Sequence, residues 1–456
     1  MTSPGLDTTT QAYARAANSN TGGSQKACGG ESTWFAAGSE HSRGPGRLGG
    51  VPSTLPDGDP APTSGELPDS ALSGLSERPF GFYVHVPFCV TRCGYCDFNT
   101  YTAAELGPGA SQRDYADTVV AEVRLARAVL GTADLPVETV FFGGGTPTLL
   151  PPEDLARILA AIDSEFGLRP DAEVTTEANP ESVDPGYLEK LRQGGFNRVS
   201  FGMQSASEHV LRVLDRRHTP GRAAAAVREA RAAGFEHVNL DLIYSTPGES
   251  NDDWRASLAA AIEAGPDHVS AYSLIVEDGT RLAARIRRGE LPMPDDDVAA
   301  DRYEIADEML AAAGFRWYEV SNWARSDAAR CRHNLLYWTG GDWWAAGPGA
   351  HSHVGGTRWW NVKHPAAYAQ RLAAGASPAH AREVLSDDDR AAERLMLELR
   401  LSSGYPLADV APAARTTVAS ALARGLLEPA AFRSGLMVLT LQGRLLADAL
   451  IRDLVV

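Results

Sequence analysis

The chain has 456 residues, 42 of them basic and 58 acidic, for a formal charge of −16. That length is enough for a large core and predicts two or three domains. The acidic balance gives no general attraction for nucleic acid or an anionic membrane, no apolar run is long enough to span a bilayer, and no basic segment followed by an apolar one marks a secretory signal.

Residues 1–77 contain no Ile and one Val, Val51, and are rich in Gly, Ser, Thr and Pro. Such a segment buries too little apolar surface to offset its ordering entropy, so a disordered N-terminal extension is expected there. The texture changes at Arg78. Phe82–Val86 reads as a strand, 111–130 as a helix with Tyr115, Val119, Val123 and Ala126 on one face, and Val137–Phe142 as a strand ending in Gly143-Gly144-Gly145-Thr146-Pro147. Pro152–Phe166 is helical; Glu173–Thr176 is a strand ending at Glu177-Ala178-Asn179-Pro180; Arg198–Gly202 is a strand running into Met203-Gln204-Ser205. Thr219 and Pro220 read as N-cap and first residue of a helix through Ala233. His237–Ile243, with Asp241, is the next strand, Asn251–Ala264 a helix and His268–Ile275 a sixth strand. Gly195-Phe196, Gly234-Phe235 and Gly314-Phe315 each stop a helix with a left-handed glycine. Strands separated by helices predict a parallel sheet covered by helices and curled into an open or closed barrel.

Between the first strand and the first helix stand Cys89, Cys93 and Cys96, spaced C-x₃-C-x₂-C. Three thiols on one short loop can gather at one point, and soft thiolates select iron–sulfur clusters or zinc. A zinc site needs a fourth ligand, with His85, Asp97 or Cys331 available. Five cysteines in the whole chain, three of them crowded together, disfavour a disulfide framework. Free thiolates of this kind require a reducing compartment, which predicts a cytoplasmic protein.

In a barrel of this type the site gathers at the C-terminal ends of the strands. The cysteine loop, Gly143–Pro147, Glu177, Gln204 and Asp241 all fall on that rim. The glycines let backbone approach a ligand closely, Glu177 and Asp241 can accept hydrogen bonds from an amine or ribose hydroxyls, and Arg216 can fork onto a carboxylate.

The motifs Y-x-H-x-P-F-C, G-G-G-T-P, E-A-N-P, G-M-Q-S and D-L-I-Y, in that order over roughly residues 80–450, resemble the oxygen-independent coproporphyrinogen III oxidase family of radical S-adenosylmethionine (SAM) proteins. The resemblance implies an α/β fold: a partial (β/α)₆ radical SAM barrel with a smaller C-terminal α+β domain. It implies a [4Fe–4S] cluster on Cys89, Cys93 and Cys96, with the amino and carboxylate groups of SAM on the fourth iron. Motif by motif, Tyr83, Tyr95, Gly144, Gly145, Thr146, Glu177, Gln204, Arg216 and Asp241 fall where the family contacts SAM. Phe98 stands where the oxidase branch carries a fourth cysteine, and His333-Asn334-Leu335-Leu336-Tyr337-Trp338 matches the H-N-x-x-Y-W run of the HemW branch, the haem chaperones. The resemblance therefore implies haem as a further ligand and a haem-accepting protein as partner, with no nucleic acid and with peripheral contact at membrane haemoproteins. Coproporphyrinogen III oxidation is the alternative.

Seven of the nine tryptophans lie between Trp317 and Trp360, interleaved with Cys331, His333, His351 and His353. A flat apolar ligand needing an axial donor suits such a stretch, with His333 or His85 as the haem ligand, although about half of the tryptophans are expected to be core instead. The domains read as a disordered extension to 77, a radical SAM core over 78–310, a Trp/His-rich segment over 311–380 and a helical domain over 381–456. In the last, Asp387–Leu401, Ala413–Ala423 (with Pro412 at its start) and Leu441–Leu454 read as helices and Leu436–Thr440 as a strand, compatible with a winged-helix-like module without a basic helix.

Overall fold

The structure is a computed structural model and describes residues 56–455, except 108, 110, 217 and 218. The expectation for residues 1–55 lies outside the described residues. Residues 56–77 differ from the expected disorder. Asp59–Pro60 (β1) pairs with the sheet, a single helical turn spans Asp69–Leu72, and Leu67, Ala71 and Leu75 are buried. Averaging composition over 77 residues hid these apolar anchors at i, i+4, i+8.

Six parallel strands follow in chain order: β2 (Phe80–Val86), β3 (Val137–Gly144), β4 (Leu168–Ala178), β5 (Arg198–Gln204), β6 (His237–Tyr244) and β7 (His268–Ser273). Helices connect and cover them: α1 (Tyr115–Leu130), α2 (Pro152–Phe166), α3 (Pro185–Gln193), α4 (Glu208–Val213), α5 (Arg222–Ala232) and α6 (Asn251–Ala264). Alternation decides which side chains meet the helices. Phe82, Val84 and Val86 of β2, Val199 and Phe201 of β5, and Val238, Leu240 and Leu242 of β6 are buried in the main apolar core with the inner faces of these helices. The intervening residues, Tyr83, His85, Ser200, Asn239 and Asp241 among them, face the other side. α5 starts later than expected. Gly221 takes φ 77° as its N-cap, so Thr219 and Pro220 form the preceding turn.

The Trp/His-rich segment contributes strands to the sheet. After α7 (Arg281–Arg287) and α8 (Asp296–Ala312), the hairpin of β8 (Arg316–Glu319) and β9 (Asn322–Ala324) joins the sheet, with β9 antiparallel to β7 and β8 outside it. After the short helix α9 (Arg332–Trp338), β10 (Asp342–Ala346) adds parallel to β2 as a seventh parallel strand. β11 (His351–Val354), β12 (Thr357–Asn361) and, beyond α10 (Pro365–Ala373), β13 (Ala379–Val384) continue antiparallel from β10 to β1. One segment thus covers both flanks of the parallel sheet, which among the described residues leaves the two-residue β1 and the four-residue β8 as its edges.

Residues 387–454 form a second core around Leu399, Tyr405, Leu426, Met437 and Leu450. Its helices are α11 (Asp387–Glu398), α12 (Arg415–Ala423), α13 (Pro429–Arg433), α14 (Leu441–Leu445) and α15 (Ala447–Leu454), with a ladder of Tyr405–Pro406 against Leu436–Met437. The helix expected over 441–454 divides at Leu446, where the backbone N–H closes onto Gln442 and Gly443. Arg444 anchors this unit to α8, with both Nη atoms on Asp307 at 3.0 and 2.8 Å. Among the described residues no helix is long and apolar enough to cross a membrane.

Candidate functional site

β2 runs out into the cysteine loop, and that loop is held from three sides. Gly145 N–H donates to Val86 O and Thr146 N–H to Phe88 O, both at 2.8 Å, so the end of β3 grips its start. Gly94 N–H donates to Leu214 O at 3.1 Å, and Gly94 O accepts from Leu282 N–H of α7 at 2.8 Å. The glycines are needed here for the loop itself. A Cβ on Gly145 would stand 2.5 Å from Phe88 O and 3.0 Å from Cys89 Sγ; one on Gly144, at φ 106°, would meet His85 Cε1 at 2.6 Å.

The loop opens onto a cavity of about 1500 Å³. Cys89, Cys93, Cys96, Tyr95, Gly144, Gly145, Thr146, Glu177, Gln204, Arg216 and Asp241 all line it. Of the residues that sequence reasoning placed at the cluster or SAM, Tyr83 alone stands apart. It is buried below the cavity, its hydroxyl 3.1 Å from His85 Nδ1.

Burial raises the Cys89 thiol to about 11, with Cys93 next in effect, and raises Cys96 further, with Cys93 and Cys89 adding to it. Arg216 Nη1 donates to Cys93 Sγ at 3.4 Å. Among the described residues no three Cys, His, Asp or Glu converge on a single ion. A lone zinc ion requires that convergence. A [4Fe–4S] cluster takes each thiolate on a different iron, so three thiols around one cavity fit it, and its positive charge offsets the ionisation cost.

The remaining lining suits a ligand with an amine and hydroxyls. Glu177 Oε2 accepts from Gly144 N–H at 3.1 Å, and burial, then Asp241, holds its carboxyl well above the ordinary range. Asp241, raised to about 6 by burial, accepts from Ser200 Oγ and Asn239 Nδ2, each at 2.7 Å. Gln204 is buried at φ 66°, and its Oε1 has no hydrogen-bond partner. A left-handed non-glycine residue with an orphaned buried acceptor in the wall of a cavity is the kind of local strain that binding sites hold. Sequence reasoning missed Ser200 and Asn239. Their signal was available: each lies two or four residues before Gly202, Gln204 or Asp241 on a strand, hence on the same face.

The two haem-ligand candidates are core residues. His333 Nδ1 is 2.8 Å from Thr139 Oγ1 and Nε2 2.7 Å from Tyr337 OH, and its ring stacks on Phe141. His85 Nε2 is 2.9 Å from Asn99 O, so both of its nitrogens are also engaged. Burial lowers His333 to about 3 and His85 to about 4. Six of the seven clustered tryptophans are buried and Trp317 is half-buried. This corrects the expectation that about half would be free for a ligand. Trp343, Trp344, Trp359 and Trp360 lie on β10 and β12, Trp317 and Trp323 pack at the other flank near Arg444 and Tyr303, and Trp338 packs on Leu397 and Leu401.

A family model for the radical SAM superfamily matches residues 83–261. The heme chaperone HemW of Mycobacterium tuberculosis is 56% identical over 390 residues, 85% of this chain and 97% of that protein. The heme chaperone HemW of Synechocystis is 35% identical over 77% of this chain and 85% of its own length. Among solved structures, coproporphyrinogen III oxidase (HemN) from Escherichia coli, a radical SAM enzyme, superposes with a TM-score of 0.71 over 84% of this chain and 91% of that one. At 23% identity that likeness speaks to the fold. By the extent and identity of these matches, the chain belongs to the heme chaperone HemW family of the radical SAM superfamily.

Proposed function

We propose that the chain is a haem chaperone, binding haem, a [4Fe–4S] cluster and SAM and passing haem to an acceptor protein. The observation that carries this reading is 56% identity to a heme chaperone over nearly all of that protein's length. The cluster, when bound, supplies an open iron for the amino and carboxylate groups of SAM. The chain's own residues do the rest. Cys89, Cys93 and Cys96 each hold an iron, and Arg216 sets a positive charge beside Cys93. Glu177, Gln204 and Asp241 offer acceptors to the amine and ribose, and Tyr95, Gly144, Gly145 and Thr146 shape the wall. Tyr83 acts from below, through His85. The thiols call for a reducing compartment, which we take to be the cytoplasm. Nothing among the described residues adds to the expected contact with membrane haemoproteins.

His333 and His85 are the imidazoles we propose as haem ligands. To reach iron, His333 Nε2 has to leave Tyr337 OH, or His85 Nδ1 has to leave Tyr83 OH. His333→Ala and His85→Ala separate the two by their Soret spectra. If both variants keep the wild-type spectrum and affinity, neither imidazole is the ligand.

Oxidation of coproporphyrinogen III is the second reading, favoured by the likeness in fold to HemN. Against it, Phe98 lines the cavity where the oxidase branch carries cysteine. An anaerobic assay with SAM and a reductant separates the two. The chaperone reading expects no protoporphyrinogen IX and no rescue of a strain lacking its oxygen-independent oxidase; rescue of that strain overturns it.

A further inference from the structure

A row of buried polar groups crosses the inside of the barrel from the cavity to α9. Asn239 Nδ2 donates to Asp241 Oδ1 at 2.7 Å. Asn239 Oδ1 lies 2.7 Å from His268 Nδ1, and His268 Nε2 lies 2.8 Å from Tyr318 OH. The backbone N–H of Cys331, the N-cap of α9, donates to the same hydroxyl at 3.1 Å. Asn239, His268 and Tyr318 are each at most 4% exposed.

The polarity of this row is fixed by its ends. An ionised Asp241 only accepts, so Asn239 must turn its amide N–H₂ toward it and its Oδ1 away. Oδ1 then accepts a hydrogen bond from His268, which places the imidazole hydrogen on Nδ1. Burial, with Arg198 adding to it, keeps His268 neutral, so Nε2 is bare and accepts the Tyr318 O–H. The Tyr318 oxygen is left to accept from Cys331. Every donor in the row therefore points at Asp241. The same turn of α9 is gripped from β4, where Glu173 accepts from Arg332 N–H at 3.1 Å and His333 N–H at 3.0 Å.

We propose that His268 and Tyr318 are positioning residues for Asp241, holding its carboxylate aimed into the cavity, and that this row ties SAM at Asp241 to the first turn of the H-N-x-x-Y-W helix. The inference rests on the reading of Asp241 as a SAM contact. By linkage, a ligand that tightens one end of the row tightens the other.

The test uses the reconstituted full chain, with SAM as the probe. Tyr318→Phe removes one hydroxyl and keeps the ring. SAM affinity is expected to fall about five-fold, the size of one net hydrogen bond. SAM is also expected to slow amide exchange over residues 332–338 in the wild type and not in Tyr318→Phe. Tyr187→Phe loses a buried-side hydroxyl bond to Leu150 O, away from the row, and is expected to bind SAM as the wild type does. His268→Gln can still donate to Asn239 and accept from Tyr318, so it should retain more affinity than His268→Leu. That pair decides the matter if Tyr318→Phe does not fold. Wild-type affinity with unchanged protection in Tyr318→Phe overturns the proposal, as does an equal loss in Tyr187→Phe. A wild type that binds no SAM at all overturns the underlying reading instead.

Discussion

A methyl group at position 145 would press on Phe88 O and Cys89 Sγ at once, which makes Gly145 a test of what the cysteine loop is for. Overpacking of this kind costs about 1–3 kcal/mol, and here it falls on the loop and not on the helix-covered core. Gly145→Ala is expected to keep wild-type circular dichroism and lose most of its iron and sulfide after anaerobic reconstitution; full iron content would show that the loop's exact path is immaterial. Replacing any of Cys89, Cys93 or Cys96 by Ala should abolish the brown chromophore. Cys331→Ala should not, because Cys331 is buried beside Glu173, with its Sγ 3.6 Å from Oε1, outside the cavity. Gln204 tests the SAM end. Gln204→Gly removes the orphaned Oε1 while accepting the left-handed backbone, so it should fold normally and bind SAM about five-fold more weakly by equilibrium dialysis. Unchanged affinity would remove Gln204 from the site.

At the scale of elements, Glu122 ties α1 to the added strands. Its carboxylate accepts from Gly347 N–H at 2.9 Å, Asn361 Nδ2 at 2.8 Å and the Tyr368 hydroxyl, joining the end of β10, β12 and α10. Burial raises it to about 7, so the folded state holds a proton that the unfolded chain gives up near 4.5. The resulting stabilisation is complete below about pH 4.5 and is lost as pH rises through about 7. The melting temperature of the wild type minus that of Glu122→Gln should therefore fall between pH 4.5 and 7.5, and a flat difference would mean that Glu122 is ionised in the fold. Sequence made the parallel core legible because its signals are local: strand alternation, a left-handed glycine after Ala-rich helices, and polar residues at strand ends. It left β8–β13 illegible because their identity lies in partners far along the chain; Trp343, for example, faces Gly81 on β2 and His353 on β11. A cluster of aromatics reads as a ligand surface until the strands that cover it are known. Eleven of the twelve residues expected at the cluster or SAM line one cavity because they stand at or beyond strand ends, whereas Ser200, Asn239, His268 and Tyr318, which reach Asp241 only through hydrogen bonds, carry no motif of their own.

For the molecule as a whole, one segment, 316–384, extends the parallel sheet on both flanks and places α9 against its inner face, with His333 on Thr139 of β3 and Glu173 of β4 capping the first turn. The family hallmark is thus built into the same barrel that carries the cysteine cavity, and haem, cluster and SAM are expected to act on one body. The measurement that bears most directly on this account is an anaerobic haem titration of the reconstituted full chain, followed in the Soret band. The account predicts saturation at about one haem per chain, as for a single specific site. A titration with no saturable Soret shift would contradict it.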